Sequence, residues 1–195
     1  DILCSIELPP FSTFNFGAIV KSGAHLVLVP MNAKVIVDYD LESGTFQQIP
    51  LDAPMNSGNF RYAEVYADKV YMIGYRYPAI LIYDVLQGSI RYERACFAGI
   101  LSDRSGRHEE MLGKPCRVED RLYIPVLQSN HVLEFSLKTE AYWLHTVGPD
   151  GAGYGYAEVY EGNIWLAPWM GGPIARWNPL DEGFELFPQI PHDFA

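Results

Sequence analysis

Positive charge is scarce in this sequence, cysteines are few, and no long apolar run occurs. Fourteen Lys and Arg stand against 24 Asp and Glu, a formal net charge of −10. A phosphate-backbone partner selects a basic face, so nucleic acid is not an expected ligand. No stretch approaches the ~18 apolar residues of a membrane span. The longest, around Leu26 to Pro30, is strand-sized, and no membrane partner is expected. The three cysteines, Cys4, Cys96 and Cys116, cannot all pair with one another and read as small buried apolar side chains. No Asn-x-Ser/Thr acceptor is present, which tilts the expected compartment toward the cell interior.

Catalytic and metal-binding spacings are missing as well. There is no G-x-S-x-G, no phosphate-binding loop and no Cys-x-x-Cys. His108 to Leu112 begins like a zinc-protease helix, but Leu112 stands where the second histidine is required. Asp38 to Gly44 has the acid spacing of a calcium loop, yet its glycine comes one place late and Ile49 occupies the closing acid's place. The five histidines have no ligand-like spacing, so neither a metal nor a cofactor is expected.

What is present is a repeat. Ala63 to Tyr92 and Ala157 to Phe187 both open on Ala-Glu-Val-Tyr and run through three further short apolar segments. Weaker copies extend from Ala18 to Ile49 and from Cys116 to Leu144. A period of roughly 40–50 residues with four short strands per unit is the signature of a propeller blade. Tyr and Phe are plentiful, in keeping with strands. The expected fold is all-β: a β-propeller of four-stranded antiparallel blades, with a twisted sandwich of meanders as the structural alternative. The blades span approximately 14–50, 59–96, 113–147 and 154–190. Residues 1–10 read as the outer strand of a preceding blade, giving four full blades plus one leading strand. An incomplete ring exposes apolar blade faces and would self-associate.

Anchors recur in each unit. The second strand closes on Pro30, Gly74, Pro125 and Pro168, and the third carries Tyr39, Tyr83, Phe135 and Trp177. Asp40, Asp84, Ser136 or Asn178 follows, a residue type that accepts hydrogen bonds at turn starts. The motif Met72 to Asp84, MIGYRYPAILIYD, loosely resembles kelch-type repeats, in which a Tyr-Asp pair precedes the outer strand. The resemblance covers all four units. It departs from the family where Pro replaces the expected glycines, and it implies a propeller fold without an activity.

Candidate functional residues lie where the repeat is uneven. Turns between second and third strands gather on one face, bringing Arg76, Tyr77, Asn130, His131 and Trp169 to a rim suited to a protein or glycan ligand. The stretch 97–114 breaks the period and carries Asp103, Arg104, Arg107, His108, Glu109 and Glu110. On the first strands, Ala18, Ala63, Cys116 and Ala157 align as a small column. The next position then holds Ile19, Glu64, Arg117 and Glu158, from which an inter-blade Glu-Arg-Glu network is expected. The expected function is a non-catalytic ligand- or protein-binding module. The alternatives are a glycan- or lactone-directed hydrolase or lyase at the channel mouth, or a structural segment of a larger ring.

Overall fold

The computed structural model describes residues 15–102, 110–181 and 183–187. It contains four four-stranded antiparallel sheets, each a simple meander in chain order. The first blade is β1 (Phe16–Ser22), β2 (His25–Pro30), β3 (Val35–Asp40) and β4 (Phe46–Pro50). The second is β5 (Phe60–Tyr66), β6 (Lys69–Gly74), β7 (Ile80–Asp84) and β8 (Ser89–Glu93). The third is β9 (Cys116–Val118), β10 (Arg121–Pro125), β11 (His131–Ser136) and β12 (Tyr142–Thr146). The fourth is β13 (Tyr154–Tyr160), β14 (Asn163–Pro168), β15 (Ile174–Trp177) and β16 (Phe184–Phe187). The leading strand expected over residues 1–10 lies outside the described residues. Among the described residues, no helix is long and apolar enough to cross a membrane.

Alternation along each strand sends successive side chains to opposite sheet faces, so every blade has one face toward its predecessor and one toward its successor. The buried cores of the described residues lie between consecutive blades. Val27, Val29 and Ile36 of blade 1 meet Val70, Met72, Leu81 and Tyr83 of blade 2. Tyr71, Ile73, Ile80 and Ile82 of blade 2 meet Leu122, Ile124, Leu133 and Phe135 of blade 3. Tyr123 and Val132 of blade 3 meet Ile164, Leu166, Ala175 and Trp177 of blade 4. None of these cores spans blades 4 and 1.

The repeated Tyr-Asp positions have local jobs. Asp40 Oδ1 accepts the Glu42 N–H and Asp84 Oδ1 accepts the Gln87 N–H, each closing the turn into the outer strand. The aromatic at this position in blades 2, 3 and 4 packs into the wedge with the preceding blade. Tyr83 reaches back to blade 1, where its hydroxyl donates to buried Asp38 at 2.5 Å. His25 Nδ1 and Gln47 Nε2 also contact that carboxylate, at 2.9 and 3.2 Å. One junction along, Phe135 meets Ile82, and the same position is wholly apolar. In blade 3 the column returns to an acid: buried Glu134 is held by Arg121 and by His145 Nε2.

The stretch that breaks the period is partly a plug. A 3₁₀ turn at Ala95–Phe97 leads into the short helix α1 (Ala98–Ser102). Cys96, Phe97 and Ile100, followed by Met111 and Leu112, all enter the core between blades 2 and 3. Residues 103–109, which hold Asp103, Arg104, Arg107, His108 and Glu109, lie outside the described residues.

Candidate functional site

The turns between second and third strands and the links between blades share one end of the molecule, laced by backbone hydrogen bonds. The Met31 N–H donates to Asn15 C=O, Asn59 N–H to Met31 C=O, and Tyr75 N–H to Asn59 C=O. Met111 N–H donates to Tyr75 C=O, Leu127 N–H to Met111 C=O, and Trp169 N–H to Gly153 C=O. Asn59 and Met111 thereby rivet the turn of one blade to that of the next. Asn59 reinforces its rivet with its side chain, which accepts from Met55 N–H and donates to the carbonyls of Met31, Ala33 and Met55. Sequence reasoning missed this belt, because its members share a backbone position and no side-chain type.

Between the turns of blades 3 and 4 the belt leaves an open hollow of about 200 Å³. Gln128, Gly151, Gly153, Trp169, Met170 and Gly171 line it. Local backbone rules explain its shape. Gln128 adopts φ 65°, and Gly151 and Gly171 adopt φ 84° and 104°, left-handed conformations that turn the chain sharply at the cavity's lining. A Cβ on Gly153 would stand 3.1 Å from Gln128 Cα, and one on Gly155 only 2.7 Å from the Trp169 ring. Small residues are therefore what lets the two blades' loops approach and the indole lie back. Tyr156 flanks Trp169, with ring centroids 6.3 Å apart. Met170 is 77% exposed at the hollow's lip. The lining carries an amide, backbone groups, an indole and a thioether, and none of its side chains titrates.

The rim residues expected from the sequence fall into two groups. Trp169 lies in the hollow. Half-buried His131 stands at the start of β11, its Nδ1 3.3 Å from Ser129 Oγ. Arg76 extends over Gly58 and pairs with Glu110 at 3.0 Å, tying blade 2's turn to the link before blade 3. Tyr77 and Asn130 face inward, a departure from the expected exposed rim. Tyr77 is 2% exposed, donates to Asp52 C=O at 2.5 Å, stacks on Tyr92 and packs at a tilt against Phe60, with Arg94 over its ring. Asn130 is buried, and its amide donates to Gly148 C=O while its own carbonyl accepts from Val147 N–H. Both bind the blade links, long-range partners that a turn sequence does not display.

The inner-strand network is also rearranged. Pairing of first with second strands aligns Val20, Glu64, Cys116 and Glu158 in one column, since they oppose Val27, Tyr71, Tyr123 and Trp165. Lys21, Val65, Arg117 and Val159 form the next. The expected columns were thus displaced by one residue in blades 1 and 3, and a one-residue shift turns a side chain to the opposite face. Arg117 consequently points back at blade 2, where it donates to Val65 C=O at 2.8 Å and lies over the Tyr66 ring. Glu64 faces it. Burial pushes the Glu64 carboxyl up, and nearby Arg117 and Lys114 pull it back. Glu158 faces away from Arg117, on the far side of blade 4, and pairs with Lys114 at 3.0 Å. That bond holds the Glu158 carboxyl below its ordinary value and raises the Lys114 ammonium. Lys114 carried no motif; its backbone pairs with Gly155 and Ala157 along the inner edge of β13. Among the described residues, no three His, Cys, Asp or Glu side chains gather in a metal-binding cluster.

No protein-family model matches this chain, and no curated protein matches it by sequence. Solved structures do match in fold. Selenomethionine-substituted virginiamycin B lyase from Staphylococcus aureus aligns with a TM-score of 0.65 at 12% identity, covering 89% of this chain and 55% of that one. The RRP9 WD40 repeats align at 0.61 with 15% identity, covering 91% and 52%. The computationally designed Ika8 protein aligns at 0.57 with 11% identity, covering 88% and 48%. The chain spans about half the length of each of these structures. Four meander blades stacked face to face in chain order, and these likenesses, give the chain a β-propeller fold.

Proposed function

We propose that the chain is a non-catalytic binding module whose hollow between blades 3 and 4 takes an uncharged ligand, a neutral sugar or an uncharged segment of a protein partner. The observation that carries this reading is the lining itself. Trp169 offers a face for stacking, Gln128 and the glycine backbones offer hydrogen bonds, and Met170 offers adaptable apolar contact. A site without an ionisable group suits recognition better than proton transfer. His131 and the Arg76–Glu110 pair stand outside the lining.

The rival reading is a hydrolase or lyase acting at the inner-strand mouth. It takes support from the likeness in fold to virginiamycin B lyase. It asks for Glu64, Glu158 or His131 to be available to a substrate, and each is engaged: Glu64 beside Arg117, Glu158 with Lys114, His131 with Ser129. The third reading, a segment of a larger ring, is compatible with binding at the same hollow.

The test is binding of the full chain to arrays of neutral oligosaccharides and uncharged peptides, followed by calorimetry on the best hit. Trp169→Ala is expected to weaken that hit at least tenfold, and Arg117→Ala to leave it within twofold. The opposite pattern assigns binding to the inner-strand cluster and ends the hollow's claim.

A further inference from the structure

The turn between second and third strands is tied to the blade link in blades 1 and 2 and largely untied in blade 4. In blade 1 the N–H groups of Met31, Asn32 and Ala33 all donate to Asn15 C=O. In blade 2 those of Tyr75 and Tyr77 donate to Asn59 C=O, and Arg76 N–H donates to Gly58 C=O. Trp169, Met170 and Gly171 hold the same places in blade 4, directly after Pro168, which pairs with Tyr154 as Gly74 pairs with Phe60. There the Trp169 N–H donates to Gly153 C=O. Among the described residues, the N–H groups of Met170 and Gly171 donate to no backbone carbonyl. The same holds for Gln128, Gly151 and Gly153 on the rest of the hollow's lining. The carbonyls of Gln128, Gly151, Met170 and Gly171 likewise receive no backbone N–H among the described residues.

Side chains do not fill the gap. Gly153 stands where blade 2 has Asn59, whose amide joins the link to the carbonyls of Met31 and Ala33. Among the described residues, the Gln128 amide has no partner. Peptide groups that the protein leaves unpaired are met by water or by a ligand.

The chemistry of the lining selects among uncharged ligands. Each hydroxyl both donates and accepts, so a polyhydroxyl ligand answers N–H and C=O groups that follow no regular order. A peptide segment added to a sheet uses evenly spaced main-chain groups along a strand edge, and this lining is made of turns and a link. Gly155 lies against one side of the Trp169 indole, where a Cβ would stand 2.7 Å from Cε3. The side toward the hollow is left for a ligand, and a sugar ring brings C–H groups on its face and hydroxyls around its rim. At about 200 Å³ the hollow is smaller than the ~300–1,000 Å³ of sites for drug-sized ligands, so it seats one ring. The lining has no Lys or Arg and the chain carries a net charge of −10, which turns away acidic sugars.

Granted that the hollow is a binding site, as proposed above, we infer that it takes a single neutral pyranose ring. The ring's C–H face lies on Trp169, and its hydroxyls bond the Gln128 amide and the unpaired peptide groups of Gly153, Met170 and Gly171.

The test is calorimetric titration of the full chain with the methyl pyranosides of glucose, galactose and mannose. The matching alditols, which keep the hydroxyls and lose the ring, and capped uncharged tripeptides are titrated alongside. At least one pyranoside should bind, at about millimolar strength for a ligand of one ring, and its alditol at least tenfold more weakly. Trp169→Ala should weaken the pyranoside at least tenfold. Gln128→Gly, which keeps the left-handed backbone and removes the amide, should weaken it about fivefold. Trp143→Ala removes an exposed indole on the outer strand of blade 3 and should leave binding within twofold. Circular dichroism checks that each variant keeps its fold. An alditol that binds as well as its pyranoside overturns the inference. So does pyranoside binding that ignores Trp169→Ala or Gln128→Gly, or that falls with Trp143→Ala. A chain that binds no pyranoside overturns it too. If tripeptides then bind and depend on Trp169, the hollow stands as a site for a protein segment; if they do not bind either, the reading of the hollow falls with the sugar.

Discussion

Tyr83→Phe probes how one blade grips the next. The hydroxyl donates to Asp38, a carboxylate 2% exposed that otherwise keeps only His25 and Gln47. A hydrogen bond to a charged group contributes about 1.5–3 kcal/mol, and a buried acceptor left short of a donor adds to the loss. Tyr83→Phe should therefore destabilise the fold by about 2 kcal/mol. Asp38→Ile alone should cost about as much, because it leaves the buried Tyr83 hydroxyl, which Gln47 Nε2 donates to at 3.1 Å, without its acceptor. The double variant recreates the apolar pair that blades 2 and 3 already use, Ile82 against Phe135. It should cost less than the sum of the singles by about 1–2 kcal/mol, since replacing both partners removes the mismatch. Urea unfolding at neutral pH measures all four corners of the cycle. A coupling below about 0.5 kcal/mol would refute the claim that this junction is specified by a polar contact.

Three further outcomes follow from the same structure. Glu64 has its carboxyl pushed up by burial, so the native state binds more protons than the unfolded chain just above the ordinary carboxylate range. Its contribution to stability falls as pH rises through that window, and Glu64→Gln should gain on the parent near neutrality and lose that gain in acid; parallel melting curves across pH check the sign. Burial pushes the Cys96 and Cys116 thiols up to about 12, so neither should alkylate at pH 8 until the protein unfolds, as peptide mapping would show. Gly74→Ala would place a methyl 2.0 Å from Tyr77 C=O and 2.4 Å from Ala79 C=O, both backbone, and should destabilise by about 3 kcal/mol in a denaturant titration.

The meander, the aromatic column and the turn-capping acids were legible in the sequence because each follows from local periodicity and turn chemistry. Tyr39, Tyr83, Phe135 and Trp177 occupy one equivalent position in four sheets, where the spacing of the repeat puts them. The first-strand columns were less legible. Matching by residue likeness joined Ala18 to Ala63, whereas hairpin register joins Ile19 to Ala63. Counting outward from the turns at Gly23, Ala67, Glu119 and Glu161, all with positive φ, gives the correct columns. The candidate site was half legible. Trp169 could be placed in a turn, but Gln128, Gly151 and Gly153 lie in a different turn and link, and packing of two blades brings them to it. The inward roles of Tyr77 and Asn130, like the pairing of Lys114 with Glu158, depend on partners 18 to 44 residues away.

Amide hydrogen exchange on the dilute chain tests the order of the blades most directly, because among the described residues blades 2 and 3 have a buried core on both faces and blades 1 and 4 on one. The slowest exchange should fall in β6, β7, β10 and β11, with β2, β3, β14 and β15 opening at lower free energy. Equal protection across all four blades, or the slowest exchange in blades 1 and 4, would contradict the open order of blades described above.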